Sequence, residues 1–395
     1  MRRVALVVAL ALAGCGGGKA SHHVDAPVLA KADTRALGDM VQGVEAAKQK
    51  GGQDEAIERL KAAVTKDPGL WEAHYNLGVL LARKGSFAEA EPHLAKAAEL
   101  SPNSEDVALA LGEVRRRRGE LDAAADGLAA FVKAFPDAVD ARFALVAALR
   151  EAGRIDEAIK NAREVLKRRP NDSEAFAALA LAHLERGESD TAELLASESL
   201  KAERKTAVAE RTAGLVALKR GDDAVAFQHF ARASEMDPKD TVARLNMGVV
   251  LVQAGVYPRA EKEFRAVLDV EKDNDEAALG LAAALRAQGK RDSQGPYQEA
   301  EKLLKDVLER DPHQLAAMFN LAVLYADYMA KPDKARPLVE EFLSEAPDKH
   351  PARPAALKLK ADMDVAAKPE GGSDAPPAKG AAPKGHAPSP KPKKK

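Results

Sequence analysis

Along most of the chain, apolar and small residues return at the three-to-four-residue spacing of an amphipathic helix, in short blocks punctuated by Gly or Pro. The blocks repeat. Gly51, Gly85, Gly119, Gly153, Gly187, Gly221, Gly255 and Gly289 stand 34 residues apart, and Ala follows five residues after the first seven, at Ala56, Ala90, Ala124, Ala158, Ala192, Ala226 and Ala260. Pro68, Pro102, Pro136, Pro170 and Pro238 keep the same interval, with Arg204 and Lys272 where two further prolines would fall. A Gly at the end of a helix accepts the left-handed conformation that closes it, and a Pro after the next helix prevents its continuation. Each period therefore predicts a helix, a tight turn and a second helix. In the clearest unit Leu77, Gly78, Leu81, Ala90, Leu94 and Ala97 fall at helical spacing, with small residues where the two helices cross. Counted from Leu37, nine hairpins fill 37–347, the eighth and ninth stretched by insertions and ending at Pro312 and Pro347. Residues 348–367 follow as a capping helix, whose Leu357, Leu359, Met363 and Val365 are expected to cover the last apolar face. One array without separate domains is expected.

The segment from Trp71-Glu72-Ala73-His74-Tyr75-Asn76-Leu77-Gly78 through Pro102 resembles the tetratricopeptide repeat, whose pattern is an aromatic, Leu-Gly, an aromatic, Ala-x3-Phe and Pro. His74 stands in for the first aromatic and Leu81 for the second. Elsewhere the Leu-Gly pair appears as Leu111-Gly112, Ala213-Gly214, Met247-Gly248 and Leu321-Ala322, and Phe230 and Phe264 hold the late aromatic position. The resemblance implies an all-α superhelical solenoid that serves as a protein-binding scaffold. It also implies that the first helix of each hairpin lines a concave groove. The fifth repeat positions are then Tyr75, Leu109, Phe143, Leu245 and Phe319, and the sixth Asn76, Asn246 and Asn320. Exposed rings and amides there suit an extended peptide, because Asn bonds a backbone in both directions and Tyr and Phe lose little rotamer freedom. The Lys-Asn-Asn-Lys-Arg set that clamps a C-terminal carboxylate in some relatives is not present. Arg115 to Arg118 form the last turn of a first helix, where positive charge complements the helix dipole; Arg116 and Arg117 are also groove candidates for an acidic peptide.

Composition agrees with helices and narrows the partners. The 46% hydrophobic fraction contains only 4% aromatic residues, which favours close-packed helices over strands. Lys and Arg total 60 against 61 Asp and Glu, so the whole chain is not a nucleic-acid-binding polycation. No phosphate loop, H-E-x-x-H or other metal spacing occurs, so no cofactor, metal or enzymatic activity is expected. The glycines at 16–18 read as linker. Residues 290–296 lengthen one loop, either as decoration or as a contact loop.

Both ends carry their own chemistry. Arg2 and Arg3 precede the apolar run Val4–Ala13, too short to span a bilayer, and Leu12-Ala13-Gly14-Cys15 resembles the lipobox of bacterial lipoproteins. Residues 1–14 would be the signal peptide, the single Cys15 the lipidation site and 15–36 a lipidated tether. Gly16 after the Cys favours the outer membrane, facing the periplasm. This resemblance points to lipoproteins of gliding-motility machinery first, then to those of type IV pilus or secretin assembly. Adaptors for murein hydrolases or envelope polysaccharide export form a third group. Residues 368–395 hold seven Lys and seven Pro with a net charge of +5, against −8 on the body, and cannot bury a core. That tail is a solvated end, an electrostatic contact for acidic partners or anionic envelope polymers, or, least in keeping with export, a nucleic-acid contact.

Cys15→Ser is expected to abolish acylation and release the protein from the membrane fraction; fractionation of variant and parent checks it, and equal membrane retention places the anchor elsewhere.

Overall fold

The computed structural model describes residues 32–290 and 294–366; the leader, Cys15, nearly all of the tether, three residues of the 290–296 insertion and the 368–395 tail lie outside them. Among the described residues every element in the chain order is helical. The hairpins are α1 (Thr34–Ala47) with α2 (Gln53–Lys66), α3 (Trp71–Arg83) with α4 (Phe87–Leu100), α5 (Glu105–Arg117) with α6 (Leu121–Ala134), and α7 (Val139–Glu151) with α8 (Ile155–Arg168). They continue as α9 (Ser173–Glu185) with α10 (Ser189–Lys201), α11 (Ala207–Arg220) with α12 (Asp223–Met236), and α13 (Thr241–Gln253) followed by α14 (Tyr257–Val270). After α15 (Asp275–Gln288) and α16 (Gly295–Arg310), α17 (Leu315–Val323) runs into a π turn (Leu324–Tyr328), then α18 (Pro332–Glu345) and a final α19 (Arg353–Ala366). Two compact units result: one holds the described residues to Ala254 with Asp269–Lys272, the other Gly255–Leu268 and the described residues from Asp273.

Small residues set the helix crossings. Ala56, Ala90, Ala158, Ala192, Ala226 and Ala260 are fully buried and Ala124 nearly so, and Ala300 and Ala335 extend the ladder beyond the insertions. Opposite them, a Cβ on Gly78 would lie 2.5 Å from the Leu94 side chain, on Gly112 2.8 Å from Leu128, and on Gly214 2.6 Å from the Phe230 ring. Bulk on one helix thus occupies the gap left on the other, at interior packing density. In α1 the glycine in this role is Gly43, opposite Leu60, one residue out of register with the later units.

Seven of the eight periodic glycines, Gly51 to Gly255, have φ between +73° and +85°, as the turn requires. Gly289 departs from the expected left-handed closure: it is extended, with φ −62° and ψ 144°. Its glycine identity has a different cause, since a Cβ there would sit 2.2 Å from the ring of Tyr297, which the insertion brings back over the helix end. The ninth hairpin carries one extra residue, absorbed by the π turn, and Ala330 takes the left-handed turn position at φ 52°. In α19 Leu359 and Met363 face inward with Ala356, whereas Leu357 (53% exposed) and Val365 (70%) face solvent, so half of the expected capping residues do not cap.

In α7, which has no cap residue of its own, a neighbouring repeat supplies the acceptor. Ala138 gives α7 no side-chain cap, and Glu105 of α5 accepts the Ala141 N–H at 2.8 Å. Between α10 and α11, where Arg204 replaces a Pro, the hydroxyls of Ser173, Ser199 and Thr206 cluster, with Ser199 donating to the Ser173 carbonyl at 2.7 Å and Ser173 to that of Ser199 at 2.9 Å. Those buried polar groups are mutually satisfied.

One place recurs in three of the hairpins with the same geometry and different chemistry. The fourth residue of the first helix meets a residue 19 further on: His74 with His93, Arg142 with Asn161, Glu210 with His229. His74 Nε2 faces the Pro68 carbonyl at 3.2 Å, as Arg142 Nη2 faces that of Pro136 at 3.0 Å and Arg244 Nε that of Pro238 at 2.9 Å. A carbonyl only accepts, so His74 carries its proton on Nε2 and accepts at Nδ1 from His93 Nδ1–H across 3.2 Å. Burial pushes both imidazoles below the ordinary histidine value, with the His93 charge acting further on His74 and the Lys61 charge on His93.

Two expected outcomes follow from these contacts. Gly289→Ala is expected to cost about 1–3 kcal/mol by overpacking, and markedly less in a Tyr297→Leu background; equal costs in a double-mutant cycle of urea unfolding would show that the ring is not the cause. The histidine pair stays neutral when folded while the unfolded chain takes up protons from about pH 6.5 downward, so its stabilisation is present above that pH and lost as pH falls through the lowered folded values. His74→Phe with His93→Leu is accordingly expected to reduce the fall in melting temperature between pH 7.5 and 5, as read by circular dichroism.

Candidate interaction surface

The first helices of the hairpins bring the expected groove residues onto comparable helical positions, but not to comparable exposure. In α3, apolar residues occur all round the helix and residues 73–82 are all buried. Tyr75 and Asn76, expected as an exposed ring and amide, are 7% and 1% exposed. Burial, assisted by the Asp106 charge, pushes the Tyr75 hydroxyl up to about 12. Leu109, Phe143, Leu245, Asn246, Phe319 and Asn320 are half-buried. Leu109 packs against the core built from α6 to α9, and the Phe319 ring lies 5.4 Å from that of Phe342. Cys15 lies outside the described residues.

The three asparagines share a geometry that their sequence position alone did not specify. Each Nδ2 donates to the carbonyl four residues back in its own helix: Asn76 to Glu72 at 2.7 Å, Asn246 to Val242 at 2.8 Å, Asn320 to Ala316 at 2.9 Å. That bond fixes the side-chain rotamer and leaves the second amide hydrogen and Oδ1 for other partners. Oδ1 of Asn320 accepts from Arg286 Nη1 at 3.3 Å, whereas Oδ1 of Asn76 is buried without a partner. In the second unit Arg286 also lies 5.7 Å above the Tyr328 ring, whose centroid is 5.7 Å from that of Tyr297.

The arginine run is neutralised by carboxylates. Arg116 Nε donates to Glu151 at 2.8 Å and Nη1 to Glu113 at 2.5 Å, and Arg117 Nε donates to Glu113 at 2.8 Å. Arg115 holds Glu91 through Nε at 3.2 Å and Nη2 at 3.0 Å. Arg150 repeats the Arg116 arrangement one unit on, with Nε 3.1 Å from Glu185. These Arg–Glu pairs, 35 residues apart, bridge neighbouring first helices. The spacing was visible in the sequence, but its meaning depends on which repeats adjoin. In the second unit burial works to raise the Glu301 carboxyl, but hydrogen bonds from Lys305 (2.7 Å) and Tyr325 (2.8 Å), with the Lys305 and Lys331 charges, hold it down to about 2.

An apolar stripe open to solvent lies on α13. Val242 (42% exposed) and Val249 (38%) flank half-buried Leu245 and Asn246 at spacings of three, four and seven residues, which place the four on one helix stripe. Neither valine was singled out from the sequence, although both stand at the second and ninth repeat positions. Among the described residues no three His, Cys, Asp or Glu side chains converge as a metal site, and no helix is long and apolar enough to cross a membrane.

Two tetratricopeptide-repeat family models match the chain, one at residues 43–105 and 109–173, the other at 149–211, 216–285 and 293–363. No curated protein is similar at a significant level. Among solved structures, a chain of the APC/C hetero-tetramer Cut9–Hcn1 is similar at 16% identity and a TM-score of 0.54, covering 84% of this chain, which in turn spans 63% of that one. A tetratricopeptide repeat protein from Parabacteroides merdae is similar at 15% identity and a TM-score of 0.56, over 64% of this chain and 100% of its own. PilF of Pseudomonas aeruginosa is 18% identical with a TM-score of 0.48, over 58% and 97%. At these identities the likenesses concern the fold.

Proposed function

Because the chain belongs to the tetratricopeptide-repeat family, whose members hold other proteins on their helical surfaces, we propose that it is a non-catalytic scaffold that captures a polypeptide along the first helices of its hairpins. The observation that carries this is the Val242–Leu245–Asn246–Val249 stripe of α13: apolar side chains left in solvent beside an amide whose rotamer is already fixed. Apolar area there supplies affinity and the amide sets the register of a bound backbone.

The finer reading is that the scaffold is held by lipid on Cys15 at the periplasmic face of the outer membrane and serves an envelope machine of the gliding-motility kind. Type IV pilus or secretin assembly is second, and murein-hydrolase or polysaccharide-export adaptors come third. Its support is the Leu12-Ala13-Gly14-Cys15 leader and the length of the array. The +5 tail would add contacts to acidic partners or anionic polymers that weaken with salt.

Placing a photo-crosslinking residue at Val242 is expected to trap a protein partner in cells, and Leu245→Glu with Val249→Glu to lower the yield about tenfold, a loss of about 1.4 kcal/mol, at unchanged helicity. An undiminished yield from a folded variant assigns the stripe no part in capture.

A further inference from the structure

We propose that the α5/α6 hairpin carries a socket for a large aromatic side chain of a polypeptide partner, separate from the groove stripe of α13. At the place where other hairpins set the fourth residue against the one 19 further on, this hairpin has Ala108 and Gly127. The positions hold His74 with His93 one unit earlier, Arg142 with Asn161 one unit later, and Phe176 with Leu195 after that, both half-buried. Removing both side chains opens a cavity of about 340 Å³, lined chiefly by apolar groups, with Leu111, Leu128 and Phe131 as its large walls. An apolar cavity of about 150 Å³ already holds a benzene ring, so there is room here for an indole. The Phe131 ring offers an aromatic partner.

The occupant's class follows from the walls and the mouth. The chain fills the equivalent place of the α9/α10 hairpin with an aromatic and an aliphatic side chain, which is the chemistry missing here. Ala130 and Ala134 at the mouth are exposed and small, so a partner's backbone can approach α6 closely there, while Arg115 Nη1 stands over Gly127, 3.3 Å from where a Cβ would lie. At the rim, Arg115 gives Nε and Nη2 to Glu91, and its Nη1 makes only a long contact of 3.5 Å to the Ala123 carbonyl. That N–H complements a backbone carbonyl flanking the inserted ring, which a polypeptide supplies and a free hydrocarbon does not. A Gly inside a helix and an unfilled apolar cavity both destabilise a fold, and here the two coincide. The socket uses the 108–111–115 stripe of α5, not the stripe of Leu109 and Arg116, so it does not compete with the groove.

The test uses the full chain with methyl-labelled leucines and three probes: acetyl-Gly-Trp-Gly-amide, its Ala counterpart and free indole. The Trp peptide is expected to shift the Leu111 and Leu128 methyl signals saturably, at least about tenfold more tightly than indole, and the Ala peptide not to shift them. Ala108→Phe with Gly127→Leu, which restores the residues found at 176 and 195, is expected to abolish those shifts while melting no lower than the parent. Gly127→Leu alone, at an exposed position, serves if the double variant does not fold. Unchanged shifts in a filled variant, none in the parent, or indole binding as tightly as the Trp peptide would overturn the proposal; none of these outcomes bears on crosslinking from Val242.

Discussion

The close approach of two helices across a small residue is the constraint from which the rest of each hairpin follows. With Ala or Gly at the crossing, a Leu or Phe from the opposite helix reaches the backbone it packs on, as Leu94 does at Gly78 and Phe230 at Gly214. Dispersion falls steeply with separation, so a crossing fixed this tightly admits one register. Register then decides which residues face the next hairpin and which face solvent.

Once that register is set, the interior tolerates wide chemical variety at one place. The fourth-residue pair can be two imidazoles, a guanidinium with an amide, or a carboxylate with an imidazole, each pair held by a polar contact between its two side chains. Where neither side chain is present, at Ala108 and Gly127, the backbone does not close the gap, because the Gly112–Leu128 crossing beside it already fixes the separation of the two helices. A site for an outside group can therefore arise by deletion rather than by construction. The same logic explains Gly289: the crossing is kept, and it is the turn that changes.

Charge plays a secondary part. The Arg116–Glu151 and Arg150–Glu185 pairs join adjacent first helices, and Lys84–Asp54, Arg186–Asp156 and Arg220–Asp190 join the end of a first helix to the second helix of the preceding hairpin. Exposed pairs of this kind each contribute little. Their consequence for function is that a run of four arginines presents little free positive charge.

The periodic glycines, alanines and prolines were sufficient to read the helices, the hairpins and their number, because each acts within its own turn or crossing: a left-handed φ, a small contact, a missing N–H. Exposure was not legible in the same way. Tyr75, Leu245 and Phe319 stand at one repeat position, yet the first is buried, the second half-open and the third packed on Phe342. Nor could periodicity show that Gly289 yields to a ring brought back by an insertion, that Glu105 caps another repeat's helix, or that Ala108 and Gly127 leave a cavity. Local conformation depends on a residue and its near neighbours in the chain, so sequence determined it. Burial, pairing and empty space depend on which side chains arrive from other helices, and only the tertiary structure decided those.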